Sequence, residues 1–272
     1  MPIRAILFDL DNTLLLEDEA TEQALTRTSE LAAQRTEADA QVVRTAAERA
    51  ADALLRASPS FPYADGIGIS WGEALWGEFE GDAAGLRALR AFVPRYRHDV
   101  WAHALAAAHV QDDALADELA AAYRAVRRTM RPLDPAAEAT LDDLARTHRL
   151  GLVTNGAADL QREKLAVTTL ASRFATIVIS SDVGVGKPDP AVFRAALRAL
   201  SVSADDAVMV GDSLERDVAG ARAAGMRSVW LDRIDDAAAG GPAVPTARIR
   251  DLGELRRALN DLERAVASPQ LA

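Results

Sequence analysis

The chain has 272 residues and a formal net charge of −10, which comes from 31 Lys and Arg against 41 Asp and Glu. A chain of this length can bury a large core, and 49% hydrophobic with 26% charged residues is typical of a globular protein. The acidic balance repels a phosphate backbone, so we expect no nucleic-acid partner. Cysteine is absent and histidine occurs only four times, which excludes disulfides, thiolate catalysis and cysteine-ligated zinc, and any bound metal should have oxygen ligands.

The sequence also predicts no membrane segment. The apolar run near the start of the chain is broken at Asp9, which makes it too short for the apolar part of a signal peptide. No stretch of about 18 apolar residues occurs elsewhere. We therefore expect a soluble, cytoplasmic protein with no membrane partner.

Short apolar runs predict the strands of a buried parallel sheet. They are Ile3–Phe8, Leu150–Thr154, Thr176–Ser180, Ala207–Gly211 and Arg227–Leu231. Helical segments of about 10 to 20 residues separate the later runs, an alternation typical of a parallel α/β sheet with right-handed crossovers. Asp134 and Asp189 each precede a proline, which marks a helix start, and Gly225 marks a helix end.

The stretch between the first two strands has only a helical pattern. It predicts helices near Ala20–Ala57, Trp71–Phe79, Asp82–Phe92, Arg95–His109 and Asp113–Met130, with a loop at Ser58–Ser70. We therefore predict an inserted all-helical domain at residues 17–131 and a core made of residues 1–16 and 132–272. Within the core we expect a loop at Asp235–Pro245 and a last helix near Leu252–Val266.

Polar side chains follow four of the predicted strands. They are Asp9 and Asp11 after the first, Thr154 and Asn155 at the end of the second, Lys187 after the third, and Asp212 after the fourth, with Asp217 one turn further on. Ligands of a doubly wound sheet bind beyond the carboxyl ends of its strands, so these residues are expected to form one site.

Four carboxylates against a single lysine leave an excess of negative charge at that site. Like charges raise one another's pKa unless a cation lies among them. Mg²⁺ prefers oxygen ligands and bridges carboxylates to substrate phosphates, so Mg²⁺ is the expected cofactor. Lys187 and Thr154 would then face the phosphate oxygens, which is the arrangement that phosphoryl transfer requires.

The segments FDLDNTL, LVTNG, GKPDP and VMVGDSLERD resemble the four motifs of the haloacid dehalogenase superfamily, most of whose members are magnesium-dependent phosphatases. The resemblance covers residues 1–16 and 132–233, and the insert resembles the cap domain of the first cap class. It implies a Rossmann-like core, and so the fold class is α/β with a helical cap. The segment TNGAADLQREKL, together with Asn12 and SWGEALW in the insert, is similar to the N-acylneuraminate phosphatase and nucleotidase-like branch.

The resemblance implies a role for each aspartate that follows the first and fourth strands. Asp9 would be the nucleophile that forms an aspartyl-phosphate, and Asp11 the acid and base. Asp212 would bind Mg²⁺ together with the Asp9 carboxylate and the Asp11 backbone carbonyl. Asp217 would reach the metal through a water or orient Lys187.

The same resemblance places three further residues on the phosphoryl group, namely Thr154, Asn155 and Lys187. The expected function is Mg²⁺-dependent hydrolysis of a small phosphomonoester. A sugar phosphate or a nucleoside monophosphate is favoured as substrate over phosphoglycolate. We expect the enzyme to work as a monomer or a homodimer on a small phosphorylated metabolite.

Two alternatives remain open from the sequence. A metal-independent 2-haloacid dehalogenase uses the same aspartate to attack carbon, but Asp11 and Asp212 disfavour it. A non-catalytic binding protein on the same fold is disfavoured because every catalytic position is occupied. In the insert, Trp76 and its neighbouring aromatics fit a core better than a substrate pocket, and Arg95–Asp99 fits a solvated helix face.

Overall fold

The computed structural model describes residues 2–130, 133–234 and 243–267. Residues 235–242 of the predicted loop lie outside this described part of the chain. The described residues form two compact units. The sheet unit comprises those of Met1–Leu16, Leu133–Asn155 and Gln161–Ala272, and the helical unit those of Glu17–Pro132 and Gly156–Leu160.

The described part of the chain contains six strands and twelve α-helices. The strands are β1 (Ala5–Phe8), β2 (Arg149–Thr154), β3 (Thr176–Ile179), β4 (Ala207–Gly211), β5 (Arg227–Leu231) and β6 (Ala247–Ile249). The helices are α1 (Glu17–Arg35), α2 (Ala40–Arg56), α3 (Phe61–Ile67), α4 (Trp71–Ala74), α5 (Ala84–Ala107), α6 (Asp113–Thr129), α7 (Ala137–Leu144), α8 (Ala158–Ala166), α9 (Ser180–Val183), α10 (Pro190–Leu200), α11 (Ala219–Ala223) and α12 (Leu255–Ala267).

The strands form one parallel sheet in the order β3-β2-β1-β4-β5-β6. This is the order of a Rossmann-like doubly wound sheet, and the α/β prediction is confirmed. The strand order reverses beside β1: β2 and β3 extend the sheet on one side of it, and β4 to β6 extend it on the other. Strand β6 was not predicted, because its three residues include Arg248 and carry too little apolar pattern.

The sheet is covered by apolar side chains on both faces. Ile6 and Phe8 of β1 belong to one buried cluster, and Ala5 and Leu7 belong to another. Successive residues of a strand point to opposite faces, so a strand that is buried on both faces is apolar without interruption. This is why the run at Ala5–Phe8 is recognisable in the sequence.

Capping residues mark the ends of three helices of the sheet unit. The Asp189 side chain accepts a hydrogen bond of 2.8 Å from the Ala191 backbone N–H at the start of α10. The Asp134 side chain accepts one of 2.8 Å from the Ala136 N–H just before α7. Gly225, with φ of 79°, lies beyond the end of α11 in the left-handed conformation that favours glycine.

In the helical unit, α1, α2, α5 and α6 pack around a common apolar cluster. Ala157 and Leu160 belong to this cluster, although their segment was predicted to lie in the core. The predicted break between Phe92 and Arg95 is absent from this described segment, because α5 continues through Pro94. Pro94 is exposed while Val93 beside it is buried, so packing holds the helix across the missing N–H.

Further expectations for the helical unit are wrong in detail, since the predicted helix at Ala20–Ala57 is divided into α1 and α2. The predicted loop at Ser58–Ser70 contains α3, which has a proline in its first turn and ends at Gly68 with φ of 79°. The predicted solvated stretch at Arg95–Asp99 contains a buried cation, because Arg97 donates to the Ala74 carbonyl at 3.1 Å and also to the Gly77 carbonyl. Among the described helices, none is long and apolar enough to cross a membrane.

Candidate active site

Lys187 lies between two buried carboxylates at the carboxyl edge of the sheet. Its Nζ atom is 2.5 Å from Oδ1 of Asp9, which follows β1, and 2.7 Å from Oδ1 of Asp217, which follows β4. The Lys187, Asp9 and Asp217 side chains are buried, with 3%, 9% and 1% of their surfaces exposed. A buried ion pair is costly unless its remaining hydrogen-bonding groups are satisfied, and a site that retains several such charges is a candidate for function.

A third carboxylate completes this group. One oxygen each from Asp9, Asp212 and Asp217 lie within 4.8 Å of one another. All three donors are hard oxygens, and neither sulfur nor imidazole takes part. The donor set therefore fits Mg²⁺ better than zinc or copper.

The electrostatics of the group indicate uncompensated negative charge. Burial, together with repulsion from Asp217 and Asp11, raises the pKa of Asp9 to about 7 against the attraction of Lys187. Burial and repulsion from Asp9 and Asp217 raise the pKa of Asp212 to about 8. Burial alone would lower the pKa of Lys187, but the attraction of Asp217 and Asp9 outweighs it and raises that pKa, so the lysine stays charged.

Local backbone structure after β4 places Asp217. Residues Leu214–Val218 form a π-helical turn, and the Ser213 N–H donates to Oδ2 of Asp217 at 3.1 Å. A Cβ atom on Gly211 would lie 2.3 Å from the Asp217 carboxyl carbon, so only glycine allows the strand to approach it. The turn is capped by the Ser213 hydroxyl, which accepts from the Arg216 N–H at 3.1 Å.

Asn155 holds the loop that carries Lys187. Its Oδ1 accepts from the Lys187 backbone N–H at 2.7 Å, and its Nδ2 donates to the Lys187 carbonyl at 3.0 Å. The neighbouring Thr154 hydroxyl donates to the Asn155 carbonyl at 3.3 Å. The structure thus uses the Asn155 amide to position the lysine, and the contact of Thr154 and Asn155 with a phosphoryl group stays a prediction.

Asp11 is bound by two side chains that were not predicted to belong to the site. Lys164 Nζ lies 2.9 Å from Oδ1 and 3.0 Å from Oδ2 of Asp11, and Gln161 Nε2 donates to Oδ2 at 2.9 Å. Both residues belong to α8 and lie three positions apart, on one face of the helix. Their spacing within QREKL is a usable signal, but it does not reveal which strand end the face meets.

Arg233 supports the loop after β1. Its guanidinium donates to the carbonyls of Asn12 at 3.2 Å and Thr13 at 2.8 Å, and it forms an ion pair of 2.8 Å with Asp134. Asn12 has φ of 60°, a left-handed conformation that asparagine tolerates better than most residues. The sequence contained no signal for Arg233, because it lies 221 positions after Asn12.

Comparisons with known proteins assign the chain to a family. The chain matches the haloacid dehalogenase-like hydrolases over residues 3–225. It is 42% identical over 232 residues to the phosphoserine phosphatase of Thermus thermophilus, and the match covers 85% of this chain and 89% of that protein. It is 35% identical over 120 residues to the N-acylneuraminate-9-phosphatase of Rattus norvegicus, and that match covers 44% of this chain and 48% of that enzyme.

A solved structure with the same fold is similar along nearly the whole chain. The 2-haloacid dehalogenase of Pseudomonas syringae pv. Tomato DC3000 is 30% identical, with a TM-score of 0.58 over 96% of this chain and 99% of that one. The fold is therefore shared with a dehalogenase, whereas the identity to the phosphoserine phosphatase is higher, at 42% over 85% of the chain. The predicted resemblance is confirmed: the protein is a phosphoric monoester hydrolase that belongs to the haloacid dehalogenase-like hydrolase family.

Proposed function

We propose that the protein hydrolyses small phosphomonoesters through an aspartyl-phosphate on Asp9, with Mg²⁺ as cofactor. The observation that carries the proposal is the position of Lys187, whose ammonium bridges Asp9 and Asp217 beside Asp212. A charged lysine at a nucleophilic carboxylate supplies the positive group that phosphoryl oxygens require.

The residues of the sheet unit divide the reaction into two displacements at phosphorus. In the first, a carboxylate oxygen of Asp9 attacks phosphorus, the ester bond breaks, and Asp11 in its acid form gives its proton to the departing alcohol oxygen. In the second, water attacks the aspartyl-phosphate and returns a proton to Asp11. Phosphate leaves, and Asp9 and Asp11 regain their starting states.

The metal proposal rests on the donor set and its excess charge. Asp9 and Asp212 would hold Mg²⁺ with the backbone carbonyl of Asp11, and Asp217 would act on Lys187, to which it is bonded. When bound, the ion neutralises charge on the phosphoryl group. Burial and, after it, repulsion between the carboxylates raise the pKa values of Asp9 and Asp212 to about 7 and about 8, and a cation at this place would favour their charged forms against both effects.

Phosphoserine is the first substrate to test. The similarity to a phosphoserine phosphatase covers 85% of the chain and so extends into the helical unit, whereas the similarity to an N-acylneuraminate-9-phosphatase covers 44%. Sugar phosphates and nucleoside monophosphates, which the sequence favours, stay in the panel. The family's cap class and the oligomeric state stay predictions.

The test measures phosphate release from this panel with Mg²⁺, with wild type beside Asp9→Asn and a matched exposed control, Asp182→Asn. We expect release by wild type and the control, loss of at least about a thousandfold in Asp9→Asn, and loss after EDTA that Mg²⁺ restores. Activity of Asp9→Asn near the wild-type level would contradict the assignment of Asp9 as the nucleophile. Halide release from 2-haloacids without phosphate release would replace the proposal with dehalogenase chemistry.

A further inference from the structure

The chain is nearly free of lysine. Of its 31 basic residues only two are lysines, Lys164 and Lys187, and the others are arginines. The two lysines are buried and lie on the two aspartates that follow β1, Lys187 on Asp9 and Lys164 on Asp11. Both lysines of the sequence thus contact these aspartates, whereas arginine is used at every other position of this basic set.

We propose that Lys164, assisted by Gln161, is a positioning residue that holds the Asp11 carboxylate apart from the carboxylate group formed by Asp9, Asp212 and Asp217. The inference rests on the proposed function, in which Asp11 exchanges a proton with the leaving group. It explains how two aspartates that lie two positions apart perform different tasks.

The geometry at Asp11 supports an anchor rather than a loose surface ion pair. Lys164 Nζ is nearly equidistant from the two carboxylate oxygens, at 2.9 and 3.0 Å, and its side chain is only 1% exposed, against 22% for Asp11. Gln161 binds the same carboxylate at 2.9 Å and the Asn155 carbonyl at 2.6 Å. If Asp11 turned away, it would leave a buried ammonium without this counter-charge, which is strongly unfavourable.

A compact ammonium suits this position better than a guanidinium. An ammonium is a point charge that can centre on a carboxylate in a closed space, whereas a guanidinium is a planar fork that needs more room. Lys164 takes up and releases no proton in the proposed reaction. The proton passes between Asp11 and the ester oxygen in the first displacement, and between water and Asp11 in the second.

The first test compares two leaving groups through kcat/KM, which reports the steps up to ester cleavage. An alkyl alcohol needs a proton to depart, whereas p-nitrophenolate departs without one. For Lys164→Met we expect kcat/KM to fall about 100-fold on the best alkyl phosphate of the panel, and less than about threefold on p-nitrophenyl phosphate. Gln161→Met should change the ratio in the same direction by a smaller factor.

The absence of cysteine allows a second test by chemical rescue. Lys164→Cys introduces the only thiol, and 2-bromoethylamine converts it to a side chain that ends in an ammonium at nearly the lysine length. We expect aminoethylation to restore most of the kcat/KM on the alkyl phosphate. Reaction with iodoacetamide, which adds a neutral group, should restore none of it.

Arg162→Met is the matched control, because Arg162 lies on the same helix in an exposed ion pair with Asp182. It should leave kcat/KM unchanged on both substrates. Equal losses on the two substrates, or no rescue after aminoethylation that mass spectrometry shows to be complete, would mean that Lys164 is merely structural and would overturn the inference. Wild type that releases no phosphate from either substrate would instead refute the proposed function, and the inference with it.

Discussion

Asp9 and Asp11 have different surroundings at the end of one strand. Asp9 faces Lys187 and a group of carboxylates, while Asp11 faces Lys164 and Gln161. Each carboxylate has its own cation, which supports the proposal that the two take different parts in one reaction. Glycine also contributes at this scale, since the approach of Gly211 to Asp217 leaves no space for a side chain.

We predict that Gly211→Ala lowers both activity and stability. The added methyl group would lie 2.3 Å from the Asp217 carboxyl carbon and must displace the side chain to which Lys187 donates a hydrogen bond. We expect kcat to fall by about 10- to 100-fold and the free energy of unfolding by about 1–3 kcal/mol. Steady-state kinetics and urea denaturation measure both.

The control for this prediction is Gly66→Ala, because a Cβ at Gly66 meets nothing within 4 Å. It should leave kcat unchanged. If Gly211→Ala retains wild-type kcat, Asp217 does not depend on the close approach of the strand.

At the scale of elements, short capping motifs position the segments that carry the site. Helix α10 begins directly after the loop of Lys187, and the Asp189 side chain caps it. The π-helical turn after β4 likewise brings Asp217 back over the strand end. Such a cap contributes about 1 kcal/mol, which is a small part of the stability of the fold. It stabilises, however, the very loops that carry charged side chains of the site.

We predict that Asp189→Ala lowers the free energy of unfolding by about 1 kcal/mol, because the Ala191 N–H loses its 2.8 Å acceptor. The urea midpoint should fall with an unchanged slope. Asp205→Ala, a change at an exposed aspartate of the same unit, should leave the midpoint unchanged. Equal midpoints for the two variants would show that the cap contributes nothing measurable.

At the scale of the whole molecule, Mg²⁺ should couple to stability through Asp9 and Asp212. Their pKa values of about 7 and about 8 lie above the ordinary aspartate value of 3.8. In the metal-free protein the folded state therefore holds protons more tightly than the unfolded state. Their contribution to stability is fully present below about pH 4 and is lost as pH rises through about 7 to 8.

Protons and Mg²⁺ compete for these carboxylates, so we predict that Mg²⁺ raises Tm more at about pH 8.5 than at about pH 6. With Mg²⁺ at about 100 times its Kd, the increase at the higher pH should be about 5 to 10 °C. Thermal unfolding with and without Mg²⁺ measures it. Asp212→Asn should remove most of the increase, and an equal increase at both pH values would contradict the competition.

Local features of the sequence determined the sheet and the position of its polar edge. The runs at the centre of the sheet are largely apolar because both faces of the central strands are covered, and β4 and β5 were predicted to the residue. Asp9, Asn155 and Asp212 directly follow strands, Thr154 ends one, and Lys187 lies in the segment after β3, and parallel strands end at one edge. Their convergence was therefore predictable from their positions in the chain.

Only the tertiary structure decided which charges meet. Lys164 lies 153 positions after Asp11, and its ion pair depends on where α8 packs, which no local pattern records. Packing likewise carries α5 through Pro94 and directs the Asn155 amide to the backbone of Lys187. Periodicity and turn chemistry are local properties of the chain, whereas the pairing of buried charges depends on contacts that form only when distant segments pack together.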